Sequence, residues 1–202
     1  MSLAIVTEKA ENDIMSRPPI VRRKSRLFNF KAVIHGYLFV GSFECFTAFF
    51  CFCYHWIDNG VPFYSFVFTY EHFGNAPRID VPPDVLNQMV YTSQPVYYSS
   101  LCIFQFFNFL ATRTRYTSVV RQNPIWGKNR NLYGFGAMLI SIGIQLIFTR
   151  ISWFNQVFST APIPIKYILP TLGFGVLFLL LDELRKLCIR TFPNSILAKI
   201  AW

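Results

Sequence analysis

The chain has 202 residues, of which 53% are hydrophobic, 18% aromatic and only 14% charged. Soluble domains carry about 25% charged residues, so an ordinary water-soluble globule is excluded, and 23 phenylalanines point to a lipid environment instead. The net charge of +9 would suit nucleic acid, but no nucleic-acid-binding motif accompanies it, so that partner class is set aside.

Residues 1–31 are polar and basic, with a break at Pro18-Pro19, and read as a cytoplasmic lead-in. No secretory signal is expected: the apolar stretch 3–6 is too short, and basic residues follow it rather than precede it. Residues 32–56 form the first predicted span, with Glu44 at its middle. Residues 58–88 form an outside loop rich in aromatic side chains, expected to fold over helix ends or against a partner. Residues 90–111 form the second span, polar at Ser93 and Gln94, with Gln105 and Asn108 three apart on one helix face. A basic loop follows at 112–131. The third span, 132–154, carries Ser141 and Gln145 four apart on one face and Arg150 near its outer end. Pro162 and Pro164 mark the start of the fourth span, 164–181, which contains Pro170, Gly173 and Gly175. That span runs directly into Asp182-Glu183-Leu184-Arg185-Lys186-Leu187, the start of a tail at 182–202.

The predicted fold class is therefore an all-α membrane protein with four antiparallel transmembrane helices in a domain at 32–181. Sixteen of the nineteen Lys and Arg residues lie before the first span, between the second and third, or after the fourth. Only Arg78, Arg150 and Lys166 fall on the other side. The positive-inside rule then predicts that both termini are cytoplasmic. The same charge would draw the chain to anionic inner-leaflet lipid.

Few residues can carry chemistry. A carboxylate such as Glu44 is costly in the bilayer centre; it either marks an ion or proton path or hydrogen-bonds two helices together. Gln105 and Asn108 can offer amide oxygens to a monovalent cation, or serve with Ser141 and Gln145 as interhelical polar contacts. Asp182 and Lys186 stand at i, i+4 and predict a cytoplasmic structural network with Glu183, Arg185 and Arg190. His35, His55 and His72 do not form a ligand set, and His55 with Cys51 supplies too few ligands for zinc. The five cysteines lie in predicted spans or the tail, so no disulfide framework is expected. There is no Gly-rich phosphate loop and no nucleophile–base pair, so no catalytic residue, resident metal or cofactor is expected.

Four stretches, in chain order, resemble one family. Asp13-Ile14-Met15-Ser16-Arg17-Pro18-Pro19 resembles the loop after the sixth membrane helix of type II P-type cation ATPases. Ile57-Asp58-Asn59-Gly60 is similar to the close of the seventh helix in sodium/potassium-type pumps. Gln105 and Asn108, followed by Thr112-Arg113-Thr114-Arg115 and Ser118-Val119, resemble the exit of the eighth. Asp182 to Leu187, with Arg190, resembles the end of the tenth. The resemblance implies the C-terminal four-helix module of a Na⁺/K⁺-like transporting ATPase α subunit in the plasma membrane. It implies no phosphorylation or ATP-binding parts within this stretch, so the chain is not expected to be an enzyme by itself. As partners it implies the lipid bilayer, the remaining pump helices, a β-like subunit and monovalent cations. Asn108 stands where these pumps have Asp, Ile140 and Ser141 where they have paired Glu, and Glu44 where they tend to have Gln. Two other readings stay open: a free-standing, non-enzymatic protein that binds a pump or β-like subunit, and a small channel or carrier centred on Glu44.

Overall fold

A computed structural model describes residues 9, 15, 30–65, 81–114, 116–121 and 131–195. Most of the lead-in, the loop stretch 66–80 with most of its aromatic residues, residues 122–130 and the tail end 196–202 lie outside the described residues. Among those described there is helix and no strand. Helix α1, Phe30–Ile34, passes without a break through π-helical turns at His35–Gly41 into α2, Ser42–Asp58. Then come α3, Pro83–Thr112; α4, Leu132–Arg150; α5, Ser152–Phe158; and α6, Leu169–Thr191.

Three of these segments are long and apolar enough to cross a membrane: Phe30–Asp58, Leu132–Arg150 and Ile165–Thr191. Their large apolar side chains point outward; Leu139, Ile140, Val176 and Leu180 are all exposed, as lipid-facing residues are. Helix α3 has 30 residues, about 45 Å at 1.5 Å per residue, but is more polar than the others.

Three helix bounds differ clearly from the spans read in the sequence. Helix α3 begins at Pro83, inside the stretch 58–88 read as a loop, because the Pro82 carbonyl accepts the Val85 and Leu86 N–H groups and starts the helix there. The third predicted span, 132–154, is not one helix. Helix α4 stops at Arg150, Ile151 is extended, and α5 begins at Ser152. Phe148 meets Phe154 and Phe158 edge-on at 4.9 and 5.2 Å, which folds α5 back onto the end of α4. The last helix does not end at Leu181 but continues to Thr191, because its polar residues pair along the helix instead of breaking it.

The chain divides into two compact units. One comprises residues 45–104 and 141–174. Its core holds Cys51, Val96, Ile163 and Tyr167, with a second cluster of Trp56, Val61 and Leu86. A buried polar chain links three helices: Cys51 Sγ lies 3.2 Å from Thr171 Oγ1, which donates to Ser100 Oγ at 3.0 Å, which donates to the Val96 carbonyl at 2.9 Å. Pro95 lacks an N–H and so frees the Tyr91 carbonyl one turn earlier; the Ala161 N–H fills it at 3.0 Å. Helix α2 ends in a Schellman turn. Val61 N–H bonds Trp56 O, Gly60 N–H bonds Ile57 O, and Gly60 takes φ +88°, where a Cβ would be strained.

The other unit comprises residues up to 44, 105–140 and from 175 onward. Phe109 and Met138 centre its apolar cluster. Gly134 and Gly175 admit the rings of Phe109 and Phe107 so closely that a Cβ there would stand 2.6 and 2.2 Å from ring carbons.

Candidate functional site

Polar side chains within the apolar helices gather in separate groups. In the unit that contains Glu44 and Gln105, the amide of Gln105 donates through Nε2 to Glu44 Oε1 at 2.7 Å. Asn108 Nδ2 donates in turn to Gln105 Oε1 at 3.3 Å. Three of the sequence-predicted residues thus form one directed chain of amides ending on a carboxylate. Asn108 Oδ1 is a buried acceptor outside that chain of donations, with no hydrogen-bond partner among the described residues. Oxygens in this arrangement can hold a proton or a monovalent cation, or can tie α2 to α3.

Ser141 and Gln145 belong to the other unit. Gln145 Nε2 donates to Ser99 Oγ, and its carbonyl accepts from Thr149 Oγ1 at 2.9 Å. Ser141 is half-buried one turn earlier. Gln145 faces a cleft of about 340 Å³ that Gln94, Tyr98, Phe148 and Phe158 also line. Ser99 escaped the sequence reading, since a lone serine in an apolar helix carries no signal of its partner.

The tail residues close on one another. Asp182 Oδ1 accepts from Arg185 Nε at 3.0 Å and Nη2 at 2.8 Å, and Asp182 Oδ2 pairs with Lys186 Nζ at 2.7 Å. The Lys186 side chain is 0% exposed and that of Asp182 2%. A buried ammonium needs its remaining protons satisfied. Lys186 meets this by donating to the Ala111 carbonyl at 2.9 Å and to Thr114 Oγ1 at 3.1 Å, at the C-terminal end of α3. Glu183 Oε1 accepts the Val119 N–H at 2.9 Å and lies 3.9 Å from Lys186 Nζ. Arg190 is exposed and borders a shallow cleft with Ser118, Arg121 and Leu187.

A further polar group was not foreseen. Lys166 Nζ lies 2.5 Å from Asp58 Oδ2, the Tyr167 hydroxyl donates to the same oxygen at 2.8 Å, and Asn59 Nδ2 donates to the Tyr167 hydroxyl at 3.2 Å. Asp58 and Lys166 are 108 residues apart, so spacing gave no hint of the pair. His55 packs edge-on against Tyr167 at 4.7 Å, and Cys51 is engaged with Thr171. Among the described residues no group of three His, Cys, Asp or Glu side chains could hold a metal ion.

Comparison with known proteins adds a consistent picture. The family model described as "Cation transporting ATPase, C-terminus" matches residues 1–188. The potassium-transporting ATPase alpha chain 1 of Xenopus laevis is 27% identical over 207 residues, covering 96% of this chain and 19% of the relative. The potassium-transporting ATPase alpha chain 2 of Rattus norvegicus is 24% identical over 214 residues, with the same coverage of each. The sodium/potassium-transporting ATPase subunit alpha-B of Artemia franciscana is 22% identical over 202 residues, covering 96% of this chain and 20% of the relative. The chain therefore spans about a fifth of the length of these curated relatives.

Proposed function

The chain belongs to the cation-transporting ATPase C-terminal family, and on that premise we propose that it is the closing membrane module of a P-type pump for monovalent cations of the Na⁺/K⁺ kind. It is an integral membrane protein, as its family and its long apolar helices require. In the proposed topology it crosses the plasma membrane four times, with α3 as the additional crossing and both ends cytoplasmic. Two features support α3 in that role. Its length exceeds the roughly 30 Å of a hydrocarbon core, and its hydroxyls at Ser93, Ser99 and Ser100 are buried rather than offered to lipid. The placement of sixteen of nineteen basic residues supports the orientation.

The observation that carries the reading is Lys186. A fully buried ammonium that pairs with Asp182 and also donates to the Ala111 carbonyl near the end of α3, and to the Thr114 hydroxyl just beyond it, fastens the end of α6 to α3. That is a structural task, suited to a module that stiffens a transporter. ATP hydrolysis and phosphorylation belong, in this reading, to the rest of the pump, which also supplies neighbouring helices; a β-like subunit is a further partner.

The test is the size of the native protein, by immunoblot of membranes with an antibody to residues 194–202 and mass-spectrometric coverage of the band. The chain is 23.5 kDa and covers 19% of a relative, so a band about five times heavier with upstream peptides is expected. A band at 23.5 kDa alone would overturn the pump-module reading in favour of a free-standing binding protein.

A further inference from the structure

The cleft that Gln145 faces lies wholly within the unit of residues 45–104 and 141–174. Its volume of about 340 Å³ is in the range of small-molecule sites. Pro95 and Tyr98 of α3 line it, with Phe148 of α4 and Phe158 at the end of α5. The fold-back of α5 builds it. Phe158 is held edge-on against Phe148 at 5.2 Å, and the Ala161 N–H, bonded to the Tyr91 carbonyl at 3.0 Å, ties the segment after α5 to α3. Tyr98 and Phe158 are both exposed, so the cleft opens outward. It lies beside the last turns of α4, a helix apolar enough to span, so the medium at its mouth is lipid close to the membrane boundary.

The polar groups in the cleft are few and uncharged. None of the eight lining residues is Asp, Glu, Lys, Arg or His, so a charged headgroup would enter without a counter-charge. The hydroxyl protons are already engaged within the protein. Thr149 Oγ1 donates to the Gln145 backbone carbonyl at 2.9 Å, and Thr160 Oγ1 to the Phe148 carbonyl at 3.1 Å. The Tyr98 hydroxyl is hydrogen-bonded with Cys102. Gln145 turns its amide nitrogen to Ser99, which leaves its amide oxygen as an acceptor. The two threonine oxygens are acceptors as well, and Gln94 adds a further amide. The cleft therefore presents mainly acceptors set in apolar walls. In hydrocarbon such oxygens call for a guest that brings a donor.

We propose that this cleft binds a neutral, hydroxyl-bearing lipid of the sterol class. The rigid ring system lies along Pro95, Phe148 and Phe158, and the hydroxyl donates to the Gln145 and Thr149 acceptors near the end of α4. A sterol carries one donor at the end of a stiff apolar body, which loses little freedom on binding. Phosphatidylcholine is charged, and its headgroup has acceptors but no donor. The site depends on the membrane setting of α4 and not on whether the chain is part of a pump.

The test is photolabelling of the full chain in phosphatidylcholine bilayers with cholesterol that carries a diazirine on its ring system, followed by mass spectrometry of the peptides. Label is expected on peptides spanning 94–98 or 145–160. Excess cholesterol should displace it, whereas cholesterol methyl ether, which has the same body and no donor, should compete about tenfold less well. Gln145→Leu should weaken labelling by a similar factor. The methyl ether arm uses the unaltered chain and so does not depend on how that variant folds. Equal competition by the methyl ether would overturn the proposal, since any hydrocarbon would then fill the cleft. Label confined to other helix faces would overturn it too, showing that something other than a sterol covers this one.

Discussion

Lys186 shows what a single residue can decide. Its charge is buried with that of Asp182, and removing one partner of such a pair leaves the other uncompensated. Lys186→Met is therefore expected to destabilise the protein by about 3–5 kcal/mol, seen as a large drop in thermal stability in detergent. Asp182→Leu with Lys186→Met should recover part of that loss; a double variant no better than the single would count against a paired charge. Glu44 makes a smaller demand. Glu44→Leu leaves the Gln105 amide without its acceptor and is expected to cost about 1–3 kcal/mol, whereas Glu44→Gln should unfold near the unaltered temperature. At this scale the sequence was half legible. The Asp182/Lys186 pair follows from i, i+4 spacing, but the reach of Lys186 to Ala111, 75 residues earlier, does not. Gln105 and Asn108 share a face by spacing alone, while their link to Glu44 depends on which helices pack together.

Helices were easier to read than their ends. Apolar length placed spans at 32–56, 132–154 and 164–181, overlapping the helical segments Phe30–Asp58, Leu132–Arg150 and Ile165–Thr191, because a membrane segment is mainly a matter of composition. The stop at Ile151 was hidden: apolar residues continue on both sides of Thr149-Arg150, and the break comes with Phe148 gathering Phe154 and Phe158, contacts that spacing does not announce. The π-helical turns were equally hidden, since no residue pattern in 35–41 announces them. The end of α2 could be read, because Asp58-Asn59-Gly60 places glycine where a Schellman turn needs it. Gly60→Ala must hold alanine at φ +88°, so a loss of about 1–2 kcal/mol is expected in a thermal melt. An unchanged melting temperature would mean the turn is not built this way.

For the whole molecule, composition and charge placement carried the most information. They set the membrane class and, through the basic residues, an expected side for each loop that the measurement below tests. The family match supports the same class. Composition leaves one crossing undecided, because α3 is long enough but too polar to stand out. Its crossing decides the topology: with it, 118 and 195 lie on the same side as the N-terminal end of the first span, and without it both lie on the opposite side. The most direct measurement is labelling of intact cells by a membrane-impermeant thiol reagent. It needs single-cysteine variants at Ser118, Asn155 and Ser195 in a background whose native cysteines are replaced. The four-crossing account predicts labelling at Asn155→Cys from outside, and at Ser118→Cys and Ser195→Cys only after permeabilisation. Labelling of Ser118→Cys and Ser195→Cys from outside, with Asn155→Cys protected, would contradict it.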